Sequence, residues 1–196
     1  MKLFISGSNT GVGKTIFSAL LARQMMQKGL HTVYIKPVQT GYPADDDAAF
    51  VKKFAGLADD RALTLYTAEP PVAPCLCFER FPLEQVVDAV DSMKCDCLIV
   101  EGAGGIAVPL DYEQMTYEIP RQCGLEVITV LPDRLGCVNE AVLNREFMDS
   151  QGLEFHGFAL NRHFSSSPND SENAGIIEKL MPGSIRYLFS DTLSGY

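Results

Sequence analysis

The stretch GSNTGVGKT, residues 7–15, constrains the fold of this chain more than any other feature. It follows the short apolar run KLFIS (2–6) and leads into the amphipathic segment TIFSALLARQMMQKG (15–29). A glycine-rich loop ending in Lys-Thr between a strand and a helix is typical of loops whose backbone N–H groups surround phosphate, helped by the helix dipole. The stretch therefore predicts a strand, a loop and a helix that together bind a nucleoside triphosphate.

Three residues of this loop carry most of its expected chemistry. Gly13, Lys14 and Thr15 stand where such loops have their last glycine, their phosphate-binding lysine and their magnesium-binding hydroxyl. The leading glycine is Gly7, one residue earlier than in the common G-x4-G-K-[ST] spacing, so the loop is a variant. We expect it to bind nucleotide through Asn9, Thr10, Gly11, Val12, Gly13, Lys14 and Thr15.

Strand-like and helix-like segments alternate along the rest of the chain. Apolar runs typical of buried strands lie at 2–6, 31–38, 95–103, 125–131, 155–161 and 184–189. Amphipathic segments typical of helices lie at 15–29, 47–56, 83–93, 137–151 and 171–180, and the polar SSSPNDSEN (165–173) reads as an exposed loop. Parallel strands need crossover connections, so this alternation predicts an α/β fold with a mostly parallel central sheet and helices on both faces.

Length, composition and charge narrow the class of protein. A chain of 196 residues with 46% hydrophobic content has the size of one domain, 1–196. The formal charge of -9 and the lack of a basic run argue against a nucleic-acid partner. The first apolar run is too short for a signal peptide and no run approaches a membrane span, so we expect a cytoplasmic protein without a membrane partner.

The six cysteines occur as two C-x-C pairs and two single residues, without an accompanying pair of histidines. Cys95 and Cys97 fall in a strand-like run and are expected to point to the same face, which is compatible with packing or with metal ligation. Buried free thiols in a reducing compartment are the favoured interpretation.

Ligands of open parallel sheets bind beyond the carboxyl ends of the strands, and two such ends carry charged residues. YIKPVQTG (34–41) supplies Lys36 and Thr40, and CLIVEGAGG (97–105) supplies Glu101 and then glycines that permit close approach of a ligand. Lys36 read alone is an ordinary solvated lysine. On the same edge as Lys14, however, it predicts a site that holds additional negative charge.

Two acidic positions are candidates for supporting Mg²⁺. Glu101 follows an apolar strand near the phosphate loop, where a carboxylate commonly serves the metal, although a glutamate in a surface turn is the alternative. In DDDAA (45–49), Asp47 supplies a second metal carboxylate, caps the following helix, or does both, and Asp46 is an alternative ligand.

Four motifs in this order resemble the dethiobiotin synthetase family of P-loop NTPases. The family pattern is G-T-x-T-x-V-G-K-T, K-P-V-x-[ST]-G, V-E-G-A-G-G and L-G-x-[IV]-N, and this chain reads GSNTGVGKT, KPVQTG, VEGAGG and LGCVN. The resemblance implies an ATP-dependent cyclo-ligase that converts 7,8-diaminononanoate and CO₂ into a cyclic urea through a carbamate and a carbamic-phosphoric mixed anhydride.

The resemblance also assigns roles to residues of this sequence. Lys14 and Lys36 would be catalytic, and Thr15, Asp47 and Glu101 would organise Mg²⁺. The base of ATP would be read by Asn161. A homodimer is implied, because the carboxylate tail of the substrate reaches the partner subunit at the helix that begins in LGCVN. The substrate residues would be Thr10, Lys36, Thr40, Gly104, Leu135, Gly136 and Asn139.

Three residues depart from the family pattern. Gly11 replaces a glutamate that some members carry, Cys75 stands where a histidine is common, and Arg186 replaces a proline expected in the last nucleotide-contacting segment. These departures concern base selectivity and fine contacts with the substrate.

Two other functions use a similar nucleotide fold. A dimeric partitioning-type ATPase switch would carry a lysine where this chain has Asn9. A glutamine-dependent amide synthetase would normally carry a fused amidotransferase domain, for which 196 residues leave no room.

Overall fold

The computed structural model describes residues 1–165 and 172–195, and its centre is one eight-stranded sheet. The strands are β1 (Lys2–Gly7), β2 (Thr32–Thr40), β3 (Ala62–Ala68), β4 (Cys97–Gly105), β5 (Glu126–Pro132), β6 (Phe155–Asn161), β7 (Ile185–Phe189) and β8 (Leu193–Gly195). Their order in the sheet is β3-β2-β4-β1-β5-β6-β7-β8. All neighbouring strands are parallel except β7 and β8, so the expectation of a mostly parallel sheet is confirmed.

Helices cover both faces of this sheet, as the alternating pattern predicted. They are α1 (Lys14–Gln27), α2 (Asp47–Ala55), α3 (Leu83–Asp91), α4 (Glu118–Cys123), α5 (Cys137–Ser150) and α6 (Asn173–Leu180). Consecutive residues of β1 point to opposite faces: Leu3 and Ile5 pack with Phe17 of α1, and Phe4 packs on the other face with Val86 of α3. Burial on both faces explains why the central strands read as continuous apolar runs.

The structure adds three elements that the sequence pattern did not indicate. β3 is an edge strand whose side chains are mostly half-buried, β8 has only three residues, and α4 has six. Short or half-exposed elements lack the long apolar periodicity on which the prediction relied.

The strand that carries Glu101 is shifted relative to its prediction. β4 begins at Cys97, so the prediction that Cys95 lies in the strand with it is wrong. The strand continues to Gly105, which places Glu101 in its interior rather than at its end. Toward the C-terminus, α6 begins at Asn173. Residues 166–171, which belong to the expected loop and include the first residue of the helix expected over 171–180, lie outside the described residues.

In the part of the chain that the structure describes, no helix has both the length and the apolar character needed to cross a bilayer.

Candidate active site

A cavity of about 510 Å³ opens at the carboxyl edge of the sheet, beside the phosphate loop. Its walls come from the loop, the end of β2, the end of β4 and the segment 71–74. Nine of the residues selected from the sequence line it: Thr10, Gly11, Lys14, Thr15, Lys36, Thr40, Asp47, Glu101 and Gly104. The fold therefore brings the three separate motifs to one site.

The phosphate loop has the backbone of an anion-binding turn. Gly11 and Gly13 have φ values of 75° and 99°, in the left-handed region that glycine adopts without strain. Gly13 also lies against Asn161, since a Cβ at Gly13 would be 2.3 Å from the Asn161 amide nitrogen. Helix α1 begins directly after Gly13, so its free N–H groups face the place where phosphate is expected.

Lys14, the first residue of α1, is buried at the wall of the cavity. Burial lowers the pKa of its ammonium from 10.5 to about 8; the charges of Glu101 and Asp47 oppose this shift and the charge of Lys36 adds to it. Burial thus disfavours the charged form of Lys14, whereas an anionic ligand beside the ammonium would favour the charged form and raise the pKa.

Lys36 is bonded to both carboxylates selected from the sequence. Its Nζ lies 2.6 Å from Asp47 Oδ2 and 2.9 Å from Glu101 Oε1. The hydroxyl oxygen of Thr15 lies 3.0 Å from Asp47 Oδ1 and 3.0 Å from Glu101 Oε1, so its one hydrogen can be donated to either carboxylate. Phosphate loop, β2, α2 and β4 therefore meet in one cluster of charges.

The environment of Lys36 differs from that of Lys14. Burial alone lowers the pKa of Lys36, but the neighbouring charges of Glu101 and Asp47, with their hydrogen bonds, outweigh burial and raise it above its ordinary value. Lys36 is therefore charged at neutral pH.

The second oxygen of Glu101 has partners that the motifs did not reveal. Oε2 accepts hydrogen bonds from Ser18 Oγ at 2.7 Å and from Tyr34 OH at 3.0 Å. Burial, followed by the charge of Glu101, raises the pKa of Tyr34 well above its usual value, so the phenol remains a donor. Ser18 lies one helical turn after Thr15, and Tyr34 lies on the same face of β2 as Lys36, so periodicity is the signal that could have identified both.

The two aspartates before α2 have different contacts. Asp46 is the N-cap of the helix and accepts from Ala49 N at 2.9 Å, whereas Asp47 contacts Lys36 and Thr15. The expectation that Asp47 caps the helix is therefore wrong, because the cap lies one residue earlier.

The oxygen donors of the cluster fit a magnesium ion. Mg²⁺ prefers hard oxygen ligands and usually keeps waters and phosphate oxygens beside one or two carboxylates. Thr15, Asp47 and Glu101 are such a set: one hydroxyl and two carboxylates that already share partners. No group of three or more His, Cys, Asp and Glu side chains suited to a metal occurs in residues 1–165 and 172–195, which is compatible with a site that relies on phosphate and water.

The far end of the cavity is formed by hydroxyls and tightly packed backbone. Thr40 ends β2 and Thr10 lies in the phosphate loop, and both line the cavity. Gly104 has a φ of 66°, and a Cβ at this position would lie 3.3 Å from the Thr10 hydroxyl oxygen and 2.9 Å from a methyl carbon of Val108. A side chain at 104 would therefore crowd the surroundings of Thr10.

The remaining substrate candidates lie elsewhere. Gly136 directly precedes α5 with a φ of 96°, and Leu135 is 90% exposed. Leu135, Gly136 and Asn139 are not among the residues that line the cavity. Within one chain, the structure thus separates the start of α5 from the site that the other candidates form.

Asn161, the last residue of β6, is hydrogen-bonded to the phosphate loop. Its amide nitrogen donates to Val12 O at 3.0 Å, and its carbonyl oxygen accepts from His163 N at 3.1 Å. Asn9 is exposed, accepts from Thr10 N through its side chain, and lines a separate depression with Leu143 of α5.

The three departures from the family pattern lie in different places. Gly11 lines the cavity, and Cys75 follows Pro74 of the cavity wall. Arg186 lies at the start of β7, where its Nε donates to His156 O at 3.1 Å. This is the amino edge of the sheet, opposite the edge that carries the phosphate loop. Phe189, at the other end of β7, is the residue of this strand that approaches Gly13.

The fold and this site define a P-loop nucleotide-binding protein of the α/β class. A family model described as an AAA domain matches residues 1–186. The ATP-dependent dethiobiotin synthetase BioD of Staphylococcus epidermidis is 31% identical over 199 residues, covering 94% of this chain and 88% of the relative. The chain belongs to the dethiobiotin synthetase family and is an ATP-dependent ligase.

Similar relatives come from other lineages. The protein of the same name from Methanocaldococcus jannaschii is 32% identical over 170 residues, covering 81% of this chain and 78% of its own. That of Anaeromyxobacter dehalogenans is 34% identical over 169 residues, covering 82% of this chain and 76% of its own.

Solved structures at lower identity share the fold. The signal recognition particle receptor FtsY of Elizabethkingia anophelis in complex with GDP matches with a TM-score of 0.59 at 17% identity, covering 99% of this chain and 59% of the receptor chain. A ParA family ATPase of Chlorobium tepidum matches with a TM-score of 0.55 at 16% identity, covering 92% of this chain and 80% of its own. At such identity these similarities concern the fold alone.

Proposed function

We propose that this enzyme carboxylates 7,8-diaminononanoate with CO₂ and closes the ring to dethiobiotin at the expense of ATP. The observation that carries the proposal is the single cavity that joins the phosphate loop to Lys36 and Thr40. A site for ATP alone would not need a second buried lysine with polar groups beyond it. Membership of the dethiobiotin synthetase family supports the choice of diamine.

The reaction has three steps, in which this chain mainly supplies position and charge. One amine of the substrate adds to CO₂ and loses a proton, giving a carbamate. A carbamate oxygen attacks the γ-phosphorus of ATP, forming the mixed anhydride and releasing ADP. The second amine then attacks the carbamoyl carbon, the bond to phosphate breaks, and the cyclic urea and inorganic phosphate result. Such steps depend on orientation and on the stabilisation of negative charge.

Lys14 and Lys36 have complementary roles in this scheme. Lys14, at the start of α1, holds the β- and γ-phosphates together with the N–H groups of residues 9–15. Lys36 faces the carbamate and the transferring phosphoryl group, and Thr10, Thr40 and Gly104 form the substrate end of the site. The burial of both lysines supports this assignment, because charge–charge attraction is stronger where water is excluded.

Thr15, Asp47 and Glu101 would hold Mg²⁺. When bound there, the ion would supply positive charge that neutralises the negative charge developing on the phosphate groups. The contribution of the protein is the arrangement of one hydroxyl and two carboxylates beside Lys14. The contacts of Asp47 and Glu101 with Lys36 support this role, since the two carboxylates already lie beside a positive charge.

The proposal includes a homodimer in which the partner subunit completes the substrate site. In each subunit Leu135, Gly136 and Asn139 would receive the carboxylate tail of the diamine bound in the other. Their position outside the cavity of their own chain and the high exposure of Leu135 support this arrangement. The free N–H groups at the start of α5 suit a carboxylate.

Asn161 would contact the nucleotide base while it holds the phosphate loop. Its amide group has two hydrogens, and the bond to Val12 O uses one of them. Among residues 1–165 and 172–195, Val12 O is the only acceptor for this nitrogen, which leaves the other hydrogen for an acceptor on the base.

The deciding experiment measures ATP hydrolysis by the purified protein with diamine and bicarbonate supplied singly and together. We expect ADP formation only when both are present, with one dethiobiotin per ADP. Turnover that depends on neither would instead favour the partitioning-type switch, against which Asn9 in place of the required lysine already argues.

A further inference from the structure

The two oxygens of Glu101 have separate sets of partners. Oε1 faces the reactive cluster, where Lys36 Nζ lies at 2.9 Å and Thr15 Oγ1 at 3.0 Å. Oε2 faces away from it and accepts from Ser18 Oγ at 2.7 Å and Tyr34 OH at 3.0 Å. The partners of Oε1 are thus residues that line the cavity, Lys36 and Thr15, and the partners of Oε2 are two hydroxyls outside it.

The partners of Oε2 are part of the protein interior. Ser18 and Tyr34 are completely buried, and neither is among the residues that line the cavity. Tyr34 packs in the core between the sheet and helices α1 and α2. Neither hydroxyl is placed to touch a reactant, so any effect on the reaction has to pass through Glu101.

We propose that Tyr34, together with Ser18, positions Glu101: their two hydroxyls hold Oε2 and so present Oε1 to Lys36 and Mg²⁺. The inference rests on the proposed function, in which Glu101 supports the metal. Neither residue belongs to the four motifs of the sequence, and the position of Tyr34 two residues before Lys36 places both side chains on one face of β2.

The physical reason is the rotational freedom of a carboxylate. The residues before Glu101 in β4, 97–100, are apolar and offer its carboxylate no side-chain hydrogen bond. A carboxylate held at one oxygen only can therefore turn about its last carbon–carbon bond. Two donors on Oε2 fix the plane of the group and leave Oε1 in one direction. Groups that orient a metal ligand in this way typically change metal affinity by roughly 10- to 100-fold when they are removed.

Direct metal binding tests this role. We would titrate Mn²⁺ into the complex of the protein with β,γ-methylene-ATP and measure the concentration of free Mn²⁺ by electron paramagnetic resonance. The comparison is between wild type and Tyr34→Phe. The expected result is affinity weaker by roughly 10-fold or more, with the affinity for the nucleotide in EDTA unchanged. Ser18→Ala should act in the same direction, and Ser18→Thr, which keeps the hydroxyl, should restore binding.

Two control variants separate the positioning role of Tyr34 and Ser18 from the proposed metal role of Glu101. Tyr187→Phe removes a phenol hydroxyl from β7, where the ring packs on Phe17, and should leave Mn²⁺ affinity unchanged. Glu101→Gln should weaken Mn²⁺ binding on its own. If Glu101→Gln binds Mn²⁺ like wild type, the metal role proposed for Glu101 is wrong.

If Glu101→Gln weakens binding but a folded Tyr34→Phe does not, the positioning role is overturned and the proposed function stands. Should Tyr34→Phe fail to fold, Ser18→Ala decides, and wild-type Mn²⁺ affinity in that variant overturns the inference. Melting curves in the absence of nucleotide establish which variants are folded.

Discussion

Lys36 Nζ lies 2.6 Å from Asp47 Oδ2, so the lysine assigned to the carbamate is ion-paired with a carboxylate assigned to Mg²⁺. The same ammonium contacts Glu101, which is completely buried. Removing one member of a buried ion pair leaves an uncompensated charge, which costs about 3–5 kcal/mol. Substitution of Lys36 is therefore expected to change both stability and rate, and a charge-conserving variant is needed to separate them.

Lys36→Arg should lower the rate of dethiobiotin formation by roughly 100-fold or more while it preserves much of the stability. The guanidinium keeps the positive charge beside Glu101 and Asp47, but its planar fork cannot reproduce the position of the ammonium. Lys36→Gln should lose the rate and also melt well below wild type. Product formation at saturating diamine, bicarbonate and Mg-ATP, beside melting curves, makes the comparison. Near wild-type turnover in Lys36→Arg would contradict the assignment.

Asp47→Asn should raise the Mg²⁺ concentration needed for half-maximal rate, because one carboxylate of the proposed metal site becomes neutral. Asp46→Asn is the matched control, since Asp46 caps α2 and Asn is an equally good N-cap residue. The measurement is initial rate against Mg²⁺ for both variants. An equal effect in the two would mean that Asp47 has no particular role in metal binding.

Two inactive variants should complement each other if the substrate site is shared between subunits. Lys36→Arg impairs the cavity, and Asn139→Asp places a negative charge where the substrate carboxylate is expected. In a mixed dimer one site combines a normal cavity with a normal start of α5, so co-expression should restore part of the activity. The check is the activity of co-purified, differently tagged subunits. A mixture no more active than its components would refute the shared site.

Cys97, Cys123 and Cys137 should resist alkylation in the folded protein. Burial raises the pKa of Cys97 and Cys123 to about 11 and that of Cys137 to about 12, so each thiol is almost entirely protonated at pH 8. Brief treatment with iodoacetamide followed by mass spectrometry would find modification first at the half-buried Cys75 and Cys77. Rapid labelling of Cys137 without unfolding would contradict the buried assignment.

Asp111→Asn should destabilise the protein at neutral pH by about 1–3 kcal/mol, because a buried carboxylate that accepts from Phe81 N and Gln114 N would be replaced by a group with fewer acceptors. Burial alone raises the pKa of Asp111, but these hydrogen bonds outweigh burial and lower it. Its stabilisation is therefore present above the unfolded pKa of about 3.9 and is lost as the pH falls through the lower folded value.

Melting curves of wild type and Asp111→Asn across pH provide the test. The gap between them should be widest near neutrality and should narrow below about pH 4, where Asp111 in wild type becomes protonated. A gap that is constant over this range would mean that the charge of Asp111 contributes nothing to stability.

The prediction of the fold succeeded where burial was continuous. The apolar runs of β1, β5 and β6 and the amphipathic segments of α1 and α5 correspond to elements of the structure. β3 was not predicted, because it forms the edge of the sheet and its side chains are mostly half-buried. Its pairing with β2 is a long-range contact that leaves no local sequence pattern.

At the site, the motifs pointed to Lys14, Lys36 and Glu101, because each comes after an apolar run that leads toward the same edge of the sheet. The expectation that Lys36 lies at the end of its strand is wrong, because β2 continues to Thr40. The motifs did not reveal that Glu101 lies inside β4 or that Asp46 rather than Asp47 caps α2. Both details depend on where an element begins and ends, which local patterns determine only to within a few residues.

The sequence by itself determined the phosphate loop, the alternating α/β architecture and the charged residues of the site. These features depend on residue type and short spacing, which local sterics and periodicity translate directly into strands, turns and helices. Only the tertiary structure decided that Tyr34 and Ser18 hold one oxygen of Glu101 while Lys36 and Thr15 hold the other. Those contacts join β2, β4 and α1, and their geometry follows from the packing of helix on sheet, which no local stretch of sequence encodes.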